Sequence, residues 1–98
     1  MDNINVITID ISLAGNKTEL HELLKNALDL PEDYGMNFDA LHDMLTGYIP
    51  ATHLEIYGAY EVPDEMDDCL TVFANVLSDS AEENPGFTYE FIEEVGEE

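Results

Sequence analysis

Residues 4–11, INVITIDI, alternate strongly apolar with polar side chains and are rich in β-branched residues, which predicts a strand. Gly15 and Asn16 mark the turn that follows. Asn16 with Glu19 resembles a capping box, and Leu20, Leu23, Leu24, Ala27 and Leu28 recur at helical spacing, so a first helix is expected to end before Pro31. After a loop over 31–36, Asn37 is a good N-cap, and Phe38, Leu41, Leu45 and Tyr48 share one face of a short second helix that Gly47 and Pro50 terminate. Residues 53–57, HLEIY, alternate again as a second strand ended by Gly58. Pro63 sits where helix starts tolerate proline, and Asp64, Glu65 and Asp67 suit the positive end of a helix dipole. Met66, Leu70, Phe73, Val76 and Leu77 then supply the buried stripe of a third helix. The chain turns at Asn84, Pro85 and Gly86, residues 87–92, FTYEFI, read as a third strand, and the acidic tail 93–98 is expected to fray.

The order strand, helix, helix, strand, helix, strand places helical crossovers between successive strands. Such crossovers imply parallel pairing with right-handed connections. The expected fold is α/β: a single small domain over residues 1–98, built as a three-stranded parallel sheet with helices packed on it. A chain of 98 residues fits one domain with a radius of gyration of about 13 Å.

Composition supports a globular chain but adds a problem of charge. Hydrophobic residues make up 45% of the sequence, which argues against disorder. Against 23 Asp and Glu stand two lysines, Lys17 and Lys25, and no arginine, for a formal net charge of −21. On so small a body most acids lie within one or two Debye lengths, ~8 Å each at physiological salt, of another acid, and their repulsion costs stability. Direct binding to nucleic acid is disfavoured, because phosphate contacts need Lys and Arg. A basic protein partner, a high-salt habitat or a need for solubility each explain the acids, and the charge opposes self-association, so a monomer is expected. The first residues lack the basic start and apolar run of a signal peptide, and no segment approaches the ~20 apolar residues that span a bilayer. A cytoplasmic protein is the expectation. The single cysteine, Cys69, has no intramolecular disulfide partner and is expected to behave as a small buried hydrophobe.

Catalytic and metal chemistry find little support. His21, His42, His53 and Cys69 fall in no zinc-type spacing, and the histidines are expected at the surface or half-buried with no ligand role. No Gly-x-Ser-x-Gly or phosphate-cradling loop occurs, and the acids of residues 64–68 lack the alternation and central glycine of a calcium loop. No cofactor is expected. A carboxylate pair can perform acid–base chemistry, as in glycosidases, but Asp39 and Asp43 come with no sugar platform and no basic anchor. An enzyme is not expected.

Asp39 and Asp43 lie four residues apart on the second helix. Asp39 is helped by the helix dipole, Asp43 much less, and as like charges at i and i+4 they cost about 0.2–0.5 kcal/mol. They are either a solvated face or a pair that enters a positively charged pocket on a partner, where binding relieves the repulsion.

The residues around them carry a resemblance. Pro31-Glu32, Tyr34-Gly35, Asn37, Asp39-Ala40-Leu41, Asp43, Leu45-Thr46-Gly47 and an aromatic at Tyr48 resemble the core segment of the barstar family, intracellular protein inhibitors of secreted ribonucleases. The order of elements is similar over nearly the whole chain, and the close match covers the 18 residues from Pro31 to Tyr48. The resemblance implies an inhibitor or immunity protein that plugs the active site of a basic secreted ribonuclease with the loop and the start of the second helix. Steering by charge and a charged hot spot come with that resemblance, since the barnase–barstar pair is a standard illustration of both. Asp39 and Asp43 match the family's acidic contacts, with Asp43 expected where the enzyme would hold an RNA phosphate. Tyr34, Gly35, Asn37, Thr46 and Gly47 match positions around the same face, and Tyr48 replaces a family tryptophan. Asp33 stands where well-studied members have tyrosine, His42 where they have tryptophan, and Asn75, on the third helix, where they have glutamate. These departures imply a different cognate enzyme. Two other readings are a barstar-like protein whose acidity is adaptation to high salt, and a nucleic-acid mimic aimed at a DNA-binding protein.

Overall fold

The computed structural model describes residues 4–59 and 61–92; the expectation for the tail 93–98 falls outside them. Strand β2 (Thr52–Tyr57) lies between β1 (Asn5–Asp10) and β3 (Phe87–Ile92), and both pairings are parallel. The register aligns Ile7, Leu54 and Tyr89 in one row and Ile9, Ile56 and Phe91 in the next. Because side chains alternate along each strand, these rows share one face of the sheet. That face is the core side: Ile9, Leu54, Ile56 and Phe87 are buried. The opposite face carries Val6, Thr8 and Glu90, all exposed, with His53, Glu55 and Tyr57 half-buried.

All three helices pack on the core side. Helix α1 (Lys17–Leu28) lies against β1, α3 (Asp67–Glu83) against β3, and α2 (Phe38–Gly47) against α3. Their apolar stripes supply Leu20, Leu24 and Leu28 from α1, Leu41 and Leu45 from α2, and Phe73 and Leu77 from α3. Each such side chain contributes roughly 1.5–3 kcal/mol by leaving water. Here the sheet is covered on one face only among the described residues, which suits its alternating sequences; parallel sheets covered on both faces read as continuous apolar runs. The Cα radius of gyration is 13.2 Å. Among the described residues no helix is long and apolar enough to cross a membrane.

The three strands, three helices and parallel sheet agree with the sequence reading, and the differences are local. The first strand ends at Asp10, and Ile11–Leu13 forms a 3-10 turn instead of continuing the strand through Ile11. The Asp10 carboxylate accepts from the Ser12 amide at 3.0 Å and from the Ser12 hydroxyl at 2.6 Å, which bends the chain while Ile11 stays buried. Gly58, with φ of +82°, closes against this bend, and a Cβ there would run into the Asp10 carboxylate and the Ser12 backbone. The second strand begins one residue earlier than expected, at Thr52, whose amide donates to the Gly86 carbonyl at 2.8 Å. Pro63 opens a 3-10 turn, Asp64–Met66, before α3 starts at Asp67. Leu70 and Val76 are only partly buried, so the stripe of α3 is narrower than its spacing implies, and Cys69, expected to be buried, is only partly so. His21, expected at the surface or half-buried, is fully buried.

Candidate protein-binding site

The loop 31–37 and helix α2 are held from three sides. Asn37 is the N-cap: its Oδ1 accepts the Ala40 amide at 2.7 Å, and its Nδ2 donates to the Gly35 carbonyl at 3.2 Å. One side chain therefore satisfies an orphan helix donor and fastens the loop in front of it. Met36 adopts φ of +57°, a left-handed conformation that side chains other than glycine seldom take, and it turns the loop into the cap.

Beneath the loop, Tyr34 is 4% exposed and its hydroxyl stands 2.7 Å from Nδ1 of His21 and 3.5 Å from the Asn37 carbonyl. With Nδ1–H donating to Tyr34 and Tyr34 donating onward to Asn37, both groups are satisfied. Only the His21 Nε2 lone pair, which has no partner, is then left bare, and that is a milder cost than a buried unpaired N–H. Burial, with the Lys17 charge adding to it, pulls the His21 pKa below its ordinary value of 6.5, so the ring is neutral near pH 7. Burial also pushes the Tyr34 hydroxyl up to about 12. Phe38, the first residue of α2, packs its ring 4.7 Å from His21 and 6.3 Å from Phe73, with Lys17 Nζ 5.6 Å from its centroid.

The far end of α2 is tied to α3. His42 Nε2 lies 3.1 Å from Glu83 Oε2, Asn84 Nδ2 donates to the Leu45 carbonyl at 2.9 Å, and the Thr46 hydroxyl donates to the His42 carbonyl at 2.7 Å. The Asn84 contact satisfies one of the carbonyls that a helix leaves open at its C-terminus.

On this fixed frame Asp39 and Asp43 are exposed, while Leu41 and Leu45 of the same helix are fully buried. Among the described residues neither aspartate has a cationic side chain within ion-pair distance; the histidine–carboxylate contacts there are His42–Glu83 and His53–Glu90. Both lysines lie on α1. The face therefore offers two carboxylates with open acceptor positions, flanked by exposed Asp33 and Gly35 and ending at Gly47 and Tyr48, which is 52% exposed. A Cβ at Gly47 would meet nothing within 4 Å, so packing inside the chain gives no reason for a glycine there. Asn75 is exposed on α3, the helix packed against α2.

Four of the residues expected at the partner are also occupied within the fold: His42 meets Glu83, the Thr46 hydroxyl bonds the His42 carbonyl, and Tyr34 and Asn37 are engaged more fully. Tyr34 faces inward, so its ring positions the loop, and Asn37 has both amide atoms engaged in the cap. Sequence reasoning missed His21 and Glu83 as supports. His21 stands three residues before Leu24 and seven before Leu28, so helical spacing alone places it in the buried stripe. Glu83, 41 positions from His42, has no comparable local signal. No group of three or more His, Cys, Asp or Glu among the described residues is arranged to hold a metal ion.

A protein of Bacillus subtilis (strain 168) named "Putative ribonuclease inhibitor YrdF" is 57% identical over 30 residues, covering 31% of this chain and 33% of that relative. The matched segment thus spans about a third of the relative's length. A family model described as Barstar (barnase inhibitor) matches residues 4–92, which takes in the whole sheet and all three helices. The chain belongs to the barstar family.

Proposed function

We propose that this chain inhibits a basic ribonuclease by occupying its active site with loop 31–37 and the exposed face of α2. The observation that carries the reading is the pair Asp39 and Asp43: exposed and unpaired in a chain with lysines to spare for neither, on a helix fixed at both ends. A ribonuclease active site holds cationic groups that bind RNA phosphates, and two fixed carboxylates replace those phosphates at little entropic cost. Family membership and the name of the Bacillus subtilis relative support a ribonuclease as the target. Gly47 fits close approach by the partner backbone, and Tyr48 supplies an aromatic contact at the edge of the face. The remaining acids provide a field that speeds encounter with a basic enzyme. The role is that of an immunity protein acting where the enzyme is made, in the cytoplasm, as a monomer until it binds.

The test is titration of the chain into an RNA-cleavage assay with the small basic secreted ribonuclease of the same organism. Loss of cleavage at about one inhibitor per enzyme is expected. Undiminished cleavage at about tenfold excess contradicts the proposal.

A further inference from the structure

Strand β1 forms one edge of the sheet, and Val6, Thr8 and Asp10 along it are exposed. The Asn5 amide donates to the Ala51 carbonyl at 3.0 Å, toward β2. In a parallel ladder the residues that bond a given neighbour alternate, so the N–H and C=O groups of Val6 and Thr8 point away from β2. Open backbone of this kind is a template for another strand. Two hollows touch the strand. One, of 480 Å³, is bounded by Thr8, Ile9 and Asp10 on the strand and by Leu23 and Ala27 on α1. Three consecutive strand residues can line one hollow only if the strand presents its edge there, since their side chains alternate between faces. The other, of 320 Å³, lies at the start of the strand, where Asn5 and Ile7 meet the end of α1 at Ala27–Asp29, the segment Tyr48–Pro50 and Thr52 of β2, and it is not part of the edge. Apolar side chains stand uncovered beside this edge: Ile4 is 55% exposed, Val6 61% and Leu13 72%.

We propose that the edge of β1 is a docking site for an extended segment of a partner protein in which apolar and basic residues alternate. The added strand pairs with the open groups of Val6 and Thr8, as in other cases of β-augmentation. Its inward side chains enter the hollow beside Leu23 and Ala27, which selects apolar residues. Its outward side chains lie over the bare face of the sheet, where Thr8 donates to Glu55 at 3.2 Å and Glu55 is in register with Glu90. That face, with exposed Asp10 on the same side of the strand as Val6 and Thr8, selects Lys and Arg. A second copy of the chain is disfavoured as occupant, because it would set Asp10 and Glu55 against their own kind and bring together two chains of charge −21. The site is built from the outer edge of β1 and the 480 Å³ hollow against α1, which contains no residue of the acidic α2 face, and so does not depend on the ribonuclease reading.

The probe is a synthetic octapeptide of alternating Val and Lys. Its control is the same peptide N-methylated at alternate residues, which keeps the charge but removes the edge-facing donors. Amide hydrogen exchange of the full chain should slow at least tenfold at Val6 and Thr8 with the first peptide and stay unchanged with the second. Thr8→Pro, tolerable because that N–H is free on an edge strand, should weaken binding at least tenfold with the circular-dichroism spectrum retained. If this variant does not fold, Ala27→Lys, which places a cation in the hollow, should produce the same loss. Equal binding of both peptides, or shifts spread over the acidic surface, would mean unspecific attraction of charge and overturn the proposal. A concentration-dependent dimer of the free chain that protects Val6 and Thr8 would overturn it in favour of self-pairing.

Discussion

The hydroxyl of Tyr34 stands 2.7 Å from Nδ1 of His21, and through this contact helix α1 holds the loop that delivers α2 to the surface. Both groups are buried, so the bond is difficult to replace with water. Tyr34→Phe retains the ring but leaves the imidazole Nδ1 without a partner, and should cost about 1–3 kcal/mol of stability. Urea unfolding checks this, and a change within ~0.3 kcal/mol would show that the contact does not hold the loop.

The same histidine makes stability depend on pH. Its pKa in the folded chain is below 6.5, so between 6.5 and the lower folded value the unfolded chain takes up the proton more readily. The stabilisation is complete above about pH 6.5 and is lost as pH falls toward the folded pKa. His21→Gln should be less stable than the parent at pH 7.5 and should lack this part of the decline on acidification. Unfolding midpoints of both chains at pH 7.5, 6.5 and 5.5 make the comparison; parallel curves would contradict the assignment.

Much of the fold was legible because the signals were local. Asn37 announced the start of α2, and its side chain does cap the Ala40 amide; the alternation over 87–92 marked β3 with its observed bounds. Alternation alone carries the first strand through Ile11, whereas the Asp10–Ser12 contact, invisible to periodicity, turns the chain after Asp10. The acidic face could be read from i, i+4 spacing, but the inward turn of Tyr34 and the Glu83 contact of His42 depend on which helices meet. Those arrangements are tertiary, and residue spacing within one helix carries little trace of them.

Gly47 separates folding from binding. A Cβ at this position meets nothing in the chain, and alanine is the better helix former, so Gly47→Ala should leave stability unchanged or raise it by up to about 1 kcal/mol. On the proposed mode of binding, inhibition should nonetheless weaken, because the methyl group would stand on the face assigned to the enzyme. A variant that is equally stable and equally inhibitory would remove Gly47 from the contact face.

The acids should make the free chain sensitive to salt. Raising potassium chloride from about 0.01 to 1 M shortens the Debye length from roughly 30 to 3 Å and should raise the melting temperature as the repulsion among 23 carboxylates is screened. A modest rise is expected of an inhibitor whose acids serve a partner; a very large gain continuing into molar salt would indicate a surface adapted to a saline interior. Thermal scans over this range decide between them.

The most direct test of the central claim is the inhibition constant against the cognate basic ribonuclease for the parent chain and for Asp39→Ala with Asp43→Ala, measured alongside their melting temperatures. Both side chains are exposed and lack ion-pair partners, so the double variant should fold and melt close to the parent. The prediction is a loss of inhibition of at least a thousandfold, with the parent's association rate falling steeply as salt is added and the variant's much less. Retained inhibition by a folded double variant would contradict the assignment of this face.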